Sequence, residues 1–175
     1  MKGVMLAVLV CVAVAATTAT AQDVSDAQIA SIVVTANQVD IDAGRLAAAR
    51  SATEDVKKFG EMMVTAHTGV NKSAVELVTR LGVTPQDNPT SQSLASGGKA
   101  NVARLETLKG AEFDKAYVEH EVVYHQQVLD ALDKTLIPGA KNAELKALLV
   151  KVRPAFVAHL DHAKALQAAM ARSQS

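Results

Sequence analysis

Five ionisable side chains lie where the helical pattern places apolar residues, and they are the side chains best able to do chemistry. They are Asp40, His67, Glu121, His125 and His159. On a helical wheel, each falls within the arc set by the neighbouring apolar residues, so each should point at the core. A charged or unpaired polar group in the core costs several kcal/mol unless it finds a partner. Its recurrence in every long helix therefore indicates one shared interior site.

The chemistry of this set is that of a metal site, because three imidazoles and two carboxylates are ligands for zinc, copper or iron. Glu121 and His125 are four residues apart on one helical face, so both could bind one ion. Counted from the ends of the predicted helices at 1.5 Å per residue, the five groups agree in height to about one or two turns. The sequence predicts an internal transition-metal site formed by these five residues.

Two other interpretations compete with a simple metal-binding site. The same side chains could form a buried hydrogen-bonded network in a structural or stress-related protein that holds no metal. A metal-dependent oxidase is less favoured, because di-iron bundles carry Glu-x-x-His on two helices, with a further Glu on each of the others. This chain has only one Glu-x-x-x-His, from Glu121 to His125. No nucleotide-binding loop or nucleophile elbow is present, so enzymatic activity is not favoured.

Four long amphipathic segments must position these side chains. Ser25-x-x-Gln28 and Ser51-x-x-Glu54 are capping-box patterns that should begin the first two helices. Gly82 should end the second helix in the left-handed conformation. The predicted helices cover about 26–51, from the second capping box to 81, 112–136, and from 142 onward.

Proline and glycine residues, which disfavour helix, lie between and within these predicted helices. The stretch from Pro85 to the pair Gly97-Gly98 predicts a linker, with one or two short helices between 89 and 109. Ile137-Pro138-Gly139 should stop the third helix, and Pro154 should kink or split the fourth. The expected fold is all-α: an up-down four-helix bundle with short extra helices in the connection between the second and third helices.

The N-terminus predicts export. Lys2 precedes an apolar stretch over 4–16, and Ala19-Thr20-Ala21 is a signal-peptidase pattern. We expect a signal peptide over 1–21, a single mature domain over 22–175, and a periplasmic or secreted location. The only cysteine, Cys11, would leave with the signal peptide.

Charge and hydropathy exclude some partners. The chain has 18 Lys and Arg against 18 Asp and Glu, and no strongly basic run. Nucleic-acid binding is therefore not expected. No transmembrane segment is expected after signal cleavage, and the sequence does not indicate protein partners.

Three stretches carry a resemblance to a known family. They are FGEMMVTAHT over 59–68 followed by Asn71, FDKAYV over 113–118 running on to His125, and Pro154 followed by His159-Leu160. They resemble an exported bacterial family known as a domain of unknown function, classed as outer-membrane or secreted and grouped with the ferritin-like bundles. The resemblance implies a ferritin-like four-helix bundle, possible association with the outer membrane, and no established activity.

This chain departs from the family pattern at two positions. The family usually has Asp before the second-helix histidine, where this chain has Ala66, and Glu where this chain has Asp40. Both changes remove or shorten a carboxylate.

Overall fold

The computed structural model describes residues 24–172, and every regular element in that range is helical. The predicted all-α class is confirmed. The predicted signal peptide, 1–21, lies outside the described residues. The elements are α1 (Asp26–Arg50), α2 (Glu54–Arg80), α3 (Pro89–Thr107), α4 (Gly110–Ala131), a π-helical turn (Leu132–Leu136), α5 (Ile137–Gly139) and α6 (Ala143–Arg172).

The long helices pack side by side around two apolar clusters. α1 packs along α2 and against α3, while α6 packs along α4 and against α2. One apolar cluster contains Ile29, Leu149 and Phe156, and the other contains Phe59 and Tyr117. Each of α1, α2, α4 and α6 contributes to both clusters. Burial of these two apolar clusters holds the four helices together.

α1 begins at the capping box predicted from the sequence, but α2 does not. The Ser25 hydroxyl accepts a hydrogen bond from Gln28 N at 3.2 Å, and the Gln28 amide oxygen accepts one from Ser25 N at 3.0 Å. The predicted capping box at Ser51 is wrong. Thr53 is the N-cap of α2, and the Ser51 hydroxyl bonds to the Thr53 backbone instead. Gly82 ends α2 with φ of 64°, as predicted.

The connection between α2 and α4 differs from the prediction of a linker with short helices. It contains one 19-residue helix, α3, whose N-cap Asn88 accepts hydrogen bonds from Thr90 N and Ser91 N. Gly98 is not a linker residue, because a Cβ on it would lie 2.6 Å from a methyl group of Val39. Its absence of a side chain lets α3 pack closely on α1.

The prolines in the last two helical segments have different effects. Ile137-Pro138-Gly139 stops the third helical run as predicted, because helical structure continues through the π turn and ends at Gly139. α6 contains Pro154 without splitting. Pro154 has no amide hydrogen to donate to the carbonyl of Val150, four residues earlier. Val150 is exposed, so water can donate to that carbonyl instead. None of the described helices is both long enough and apolar enough to cross a membrane.

Candidate metal centre

The five predicted side chains meet at the level between the two apolar clusters. Asp40 comes from α1, His67 from α2, Glu121 and His125 from α4, and His159 from α6. All five are buried, and His159 is the most exposed at 7%. The convergence inferred from helical periodicity is therefore present.

Glycines bring the first two helices close enough for this meeting. A Cβ on Gly60 would lie 2.7 Å from the Gly44 carbonyl oxygen, and one on Gly44 would lie 2.8 Å from the Gly60 carbonyl oxygen. The α1 and α2 backbones thus touch within about one turn of Asp40 and two turns of His67. No larger residue fits at this crossing without moving a helix.

Asn37 fixes the tautomer of His67. The Asn37 amide nitrogen donates to the Val33 carbonyl at 2.9 Å, so its oxygen faces the imidazole. His67 Nδ1 lies 2.7 Å from that oxygen and must donate a hydrogen. Burial, aided by the nearby His125 and His159, lowers the pKa of His67 to about 2. The ring is therefore neutral, with a bare lone pair on Nε2.

His125 is held in the same way by the backbone. Its Nδ1 lies 3.1 Å from the Glu121 carbonyl oxygen, which can only accept. Nδ1 therefore carries the hydrogen in the neutral ring, and Nε2 presents a lone pair. Metal-binding histidines commonly show this arrangement, in which an outer acceptor fixes the remote nitrogen.

Both bare nitrogens face one carboxylate oxygen. Asp40 Oδ2 lies 3.1 Å from His67 Nε2 and 3.5 Å from His125 Nε2. In the ionised form of Asp40, these three atoms are all acceptors and no hydrogen lies between them. Acceptors this close in a buried site require a shared cation, which is either a proton or a metal ion.

Glu121 places a second carboxyl beside the first. Burial raises the pKa of Glu121 to about 7, an effect that Asp40 and Tyr117 partly offset. Burial and the neighbouring Glu121 raise the pKa of Asp40 well above its ordinary value. Without a metal ion, burial therefore favours a proton on this pair of carboxyl groups.

His159 completes the nitrogen ligands from the α6 side. One ligand atom each of His67, His125 and His159 lies within 4.8 Å of the others. The same holds for Asp40, Glu121 and His125, so His125 belongs to both groups. Burial lowers the pKa of His159 to about 4, which keeps its ring neutral and able to bind a cation. The described residues could therefore hold a metal ion here.

The two remaining histidines lie outside these groups. His162 is exposed and packs its ring edge-on against Phe59. His120 is partly buried and stacks on Tyr124. Asn37 was not predicted to be part of the site. The only signal in the sequence for its contact with His67 is an amide on a buried helix face.

The fold and this cluster define a class: all-helical proteins with a buried histidine and carboxylate site that could hold a metal ion. The chain belongs to the family described as "Domain of unknown function (DUF4142)", which it matches over residues 11–166. Comparison with curated proteins and with solved structures gave no significant match. The family match assigns no activity, so the function must be argued from the site.

Proposed function

We propose that this protein binds one transition-metal ion in its interior, as a periplasmic carrier, buffer or sensor. The ligands are His67, His125, His159 and Asp40, with Glu121 beside them as a further oxygen donor. Four helices supply the ligands, so the ion is bound only by the folded chain.

One observation carries this proposal: two imidazoles of fixed tautomer direct bare Nε2 atoms at the same Asp40 oxygen. Ligand atoms about 2.0–2.1 Å from a tetrahedral ion lie about 3.3–3.4 Å from one another. The distances from Asp40 Oδ2 to His67 Nε2 and His125 Nε2 are 3.1 and 3.5 Å. Both distances are close to the spacing of two ligands on zinc or on a metal of similar size.

The donor set favours zinc or copper over iron. Neutral imidazoles bind both ions well, and three nitrogens with one carboxylate suit a four-coordinate zinc site. A di-iron centre needs more carboxylates than Asp40 and Glu121 provide. Binding without catalysis is favoured, because the ligands are buried and closely packed.

The same proposal includes export and the arrangement of the helices. The sequence of residues 1–21 supports cleavage before Gln22 and a periplasmic location. The packing of α1, α2, α4 and α6 supports a ferritin-like four-helix bundle, with α3 added alongside α1. Mass spectrometry of the protein from the periplasmic fraction should give a chain beginning at Gln22.

Metal titration tests the function. Untagged protein is stripped with chelator and titrated by calorimetry with zinc, copper(II) and iron(II). We expect one ion per chain for zinc or copper, and at least a hundred-fold weaker binding in His125→Ala. His162→Ala is the matched control, since His162 is exposed and outside the cluster. Absence of saturable binding for all three ions in folded wild-type protein would overturn the proposal.

A proton-held polar network is the second candidate, and the raised pKa of Glu121, about 7, favours it. In that case a protonated Asp40 donates to His67 Nε2 at 3.1 Å, and the cluster only fixes how the helices pair. His67→Ala then destabilises the fold by a few kcal/mol, and added metal changes the stability of neither protein.

A further inference from the structure

An apolar cavity of about 100 Å³ lies beside the histidine cluster. Its walls come from α1, α2, α3, α4 and α6 together with the π-helical turn. Among the lining residues are Val33, Val70, Leu132, Leu149 and Phe156. A space of this size holds more than one water molecule by volume, so its occupant depends on the chemistry of its walls.

The walls offer almost nothing to a water molecule. Asn37 lines the cavity, but its amide already bonds to Val33 and His67. Tyr124 also lines it, and its hydroxyl donates to the Ala36 carbonyl at 2.9 Å. Because a buried water needs two to four polar partners, the inner part of this cavity favours an apolar occupant.

The π-helical turn forms part of the cavity wall. Ala131, Leu132 and Leu136 all line the space, and the turn runs from Leu132 to Leu136. A π turn accommodates an extra residue in a helix and is frequently found at functional sites. This irregularity is a second observation, independent of the cavity's volume.

The cavity shares a wall with the candidate metal centre. The ring of Phe156 lines it, and that ring centroid lies 5.2 Å from His67, 6.2 Å from His125 and 6.1 Å from His159. A molecule in the cavity is therefore separated from the histidine cluster by one aromatic ring and the Asn37 amide.

We propose that this cavity binds a small uncharged apolar molecule, a diatomic gas or a hydrocarbon of a few carbons, against Phe156. A dry protein cavity of about 150 Å³ admits benzene, so this smaller one suits a smaller guest. The exposed lining residues Thr90 and Gln127 mark its opening, beside the start of α3 and on α4. Binding needs no metal; only its bearing on the metal centre rests on the proposed function.

Xenon is the probe for this site. The metal-free full chain is titrated with xenon and followed by ¹²⁹Xe and protein NMR. We expect saturable binding with shifts at Phe156, weakened at least ten-fold in Ala131→Leu, whose added side chain fills the cavity. Ala147→Leu is the control, because Ala147 is an exposed helical alanine away from the lining. Val152→Leu is a milder filling variant if Ala131→Leu does not fold.

Competition identifies the guest. Displacement of xenon by propane assigns a hydrocarbon-sized ligand, whereas xenon uptake that propane leaves unchanged restricts the ligand to diatomic gases. No saturable uptake by the wild type, or equal uptake by a folded filling variant, overturns the inference. A zinc titration without xenon reports on the metal site separately, so failure of one proposal does not imply failure of the other.

Discussion

At the scale of the residue, the decisive feature is a set of three acceptor atoms that have no hydrogen between them when Asp40 is ionised. His67 Nε2 and His125 Nε2 both face Asp40 Oδ2, and each imidazole has its Nδ1 hydrogen engaged elsewhere. A site built in this way is stable only when a cation is present. Which cation it holds decides between the two candidate functions.

Asn37 should control metal affinity although it is not a ligand. Asn37→Leu removes the acceptor of the His67 Nδ1 hydrogen, so the imidazole can change tautomer and lose its orientation. Loss of such an outer partner typically weakens metal binding about 10- to 100-fold. We expect this drop in zinc affinity by calorimetry, with the helical circular dichroism unchanged.

Asn71→Leu is the matched control for that variant. The Asn71 amide nitrogen donates to the Val34 carbonyl at 3.2 Å and takes no part in the histidine cluster. The control should keep wild-type affinity. Equal affinities for both variants would contradict the role assigned to Asn37.

The buried groups also set how the stability of the metal-free protein depends on pH. The pKa values of His67 and His159 lie at about 2 and 4, below the ordinary 6.5, because burial disfavours their charged forms. Below pH 6.5 the unfolded chain binds protons that the folded chain excludes, so stability falls as pH falls. Glu121 acts in the opposite direction, since its folded pKa of about 7 exceeds the ordinary 4.5. Its contribution is present below pH 4.5 and lost as pH rises through 7.

Glu121→Gln should therefore make the acid loss of stability steeper. The variant lacks the carboxyl that offsets the histidines, so between pH 7 and 4.5 its slope should exceed the wild-type slope by up to about 1.4 kcal/mol per pH unit. Urea unfolding of chelated protein across this range measures the difference. The exposed Glu61→Gln should follow the wild type. Parallel curves for wild type and Glu121→Gln would refute the raised pKa.

Much of the site was predictable at this scale because helical periodicity alone put five ionisable groups on buried faces. Their common height also followed from the rise per residue. The orientation of each ring did not, because it depends on Asn37 and on the Glu121 carbonyl. The first contact joins two helices and the second depends on the rotamer of His125, and residue spacing specifies neither.

At the scale of the element, the α1–α2 crossing positions Asp40 against His67. Gly60→Ala should separate these helices, because the new Cβ would lie 2.7 Å from the Gly44 carbonyl oxygen and 2.9 Å from Ala48 N. We expect a loss of about 1–3 kcal/mol in urea unfolding and at least ten-fold weaker zinc binding.

Gly69→Ala on the same helix is the matched control. A Cβ there meets nothing within 4 Å, so helix propensity should stabilise the variant by up to about 1 kcal/mol. If both glycine variants gained stability, the close crossing would be wrong.

The elements themselves were predicted unevenly. The start of α1 was predictable from the Ser25 cap and the end of α2 from Gly82, because both signals are local. α3 was predicted as a linker with short helices because Gly97-Gly98 lowers helix propensity. Gly98 is needed in α3 because it lies in close contact with Val39 of α1. This is a tertiary contact, which helix propensity cannot predict.

At the scale of the whole molecule, a bound ion would join four helices that otherwise meet through apolar contacts and a few hydrogen bonds. The ligands come from α1, α2, α4 and α6, so they are no longer close together in the unfolded chain. The ion therefore binds only the folded state and raises its stability. Free zinc at a hundred times its dissociation constant should add about 2.7 kcal/mol. Thermal unfolding with zinc should therefore shift upward in wild type and His162→Ala, return to its starting value with chelator, and stay unchanged in His125→Ala.

The central claim is the position of the ion, and anomalous diffraction from crystals grown with zinc tests it most directly. The account predicts one anomalous peak enclosed by His67 Nε2, His125 Nε2, an Asp40 oxygen and the His159 ring, with each ligand at about 2.0–2.2 Å. Well-ordered crystals whose zinc lies only on surface residues, with Asp40 still within hydrogen-bond distance of His67 and no density between them, would contradict it.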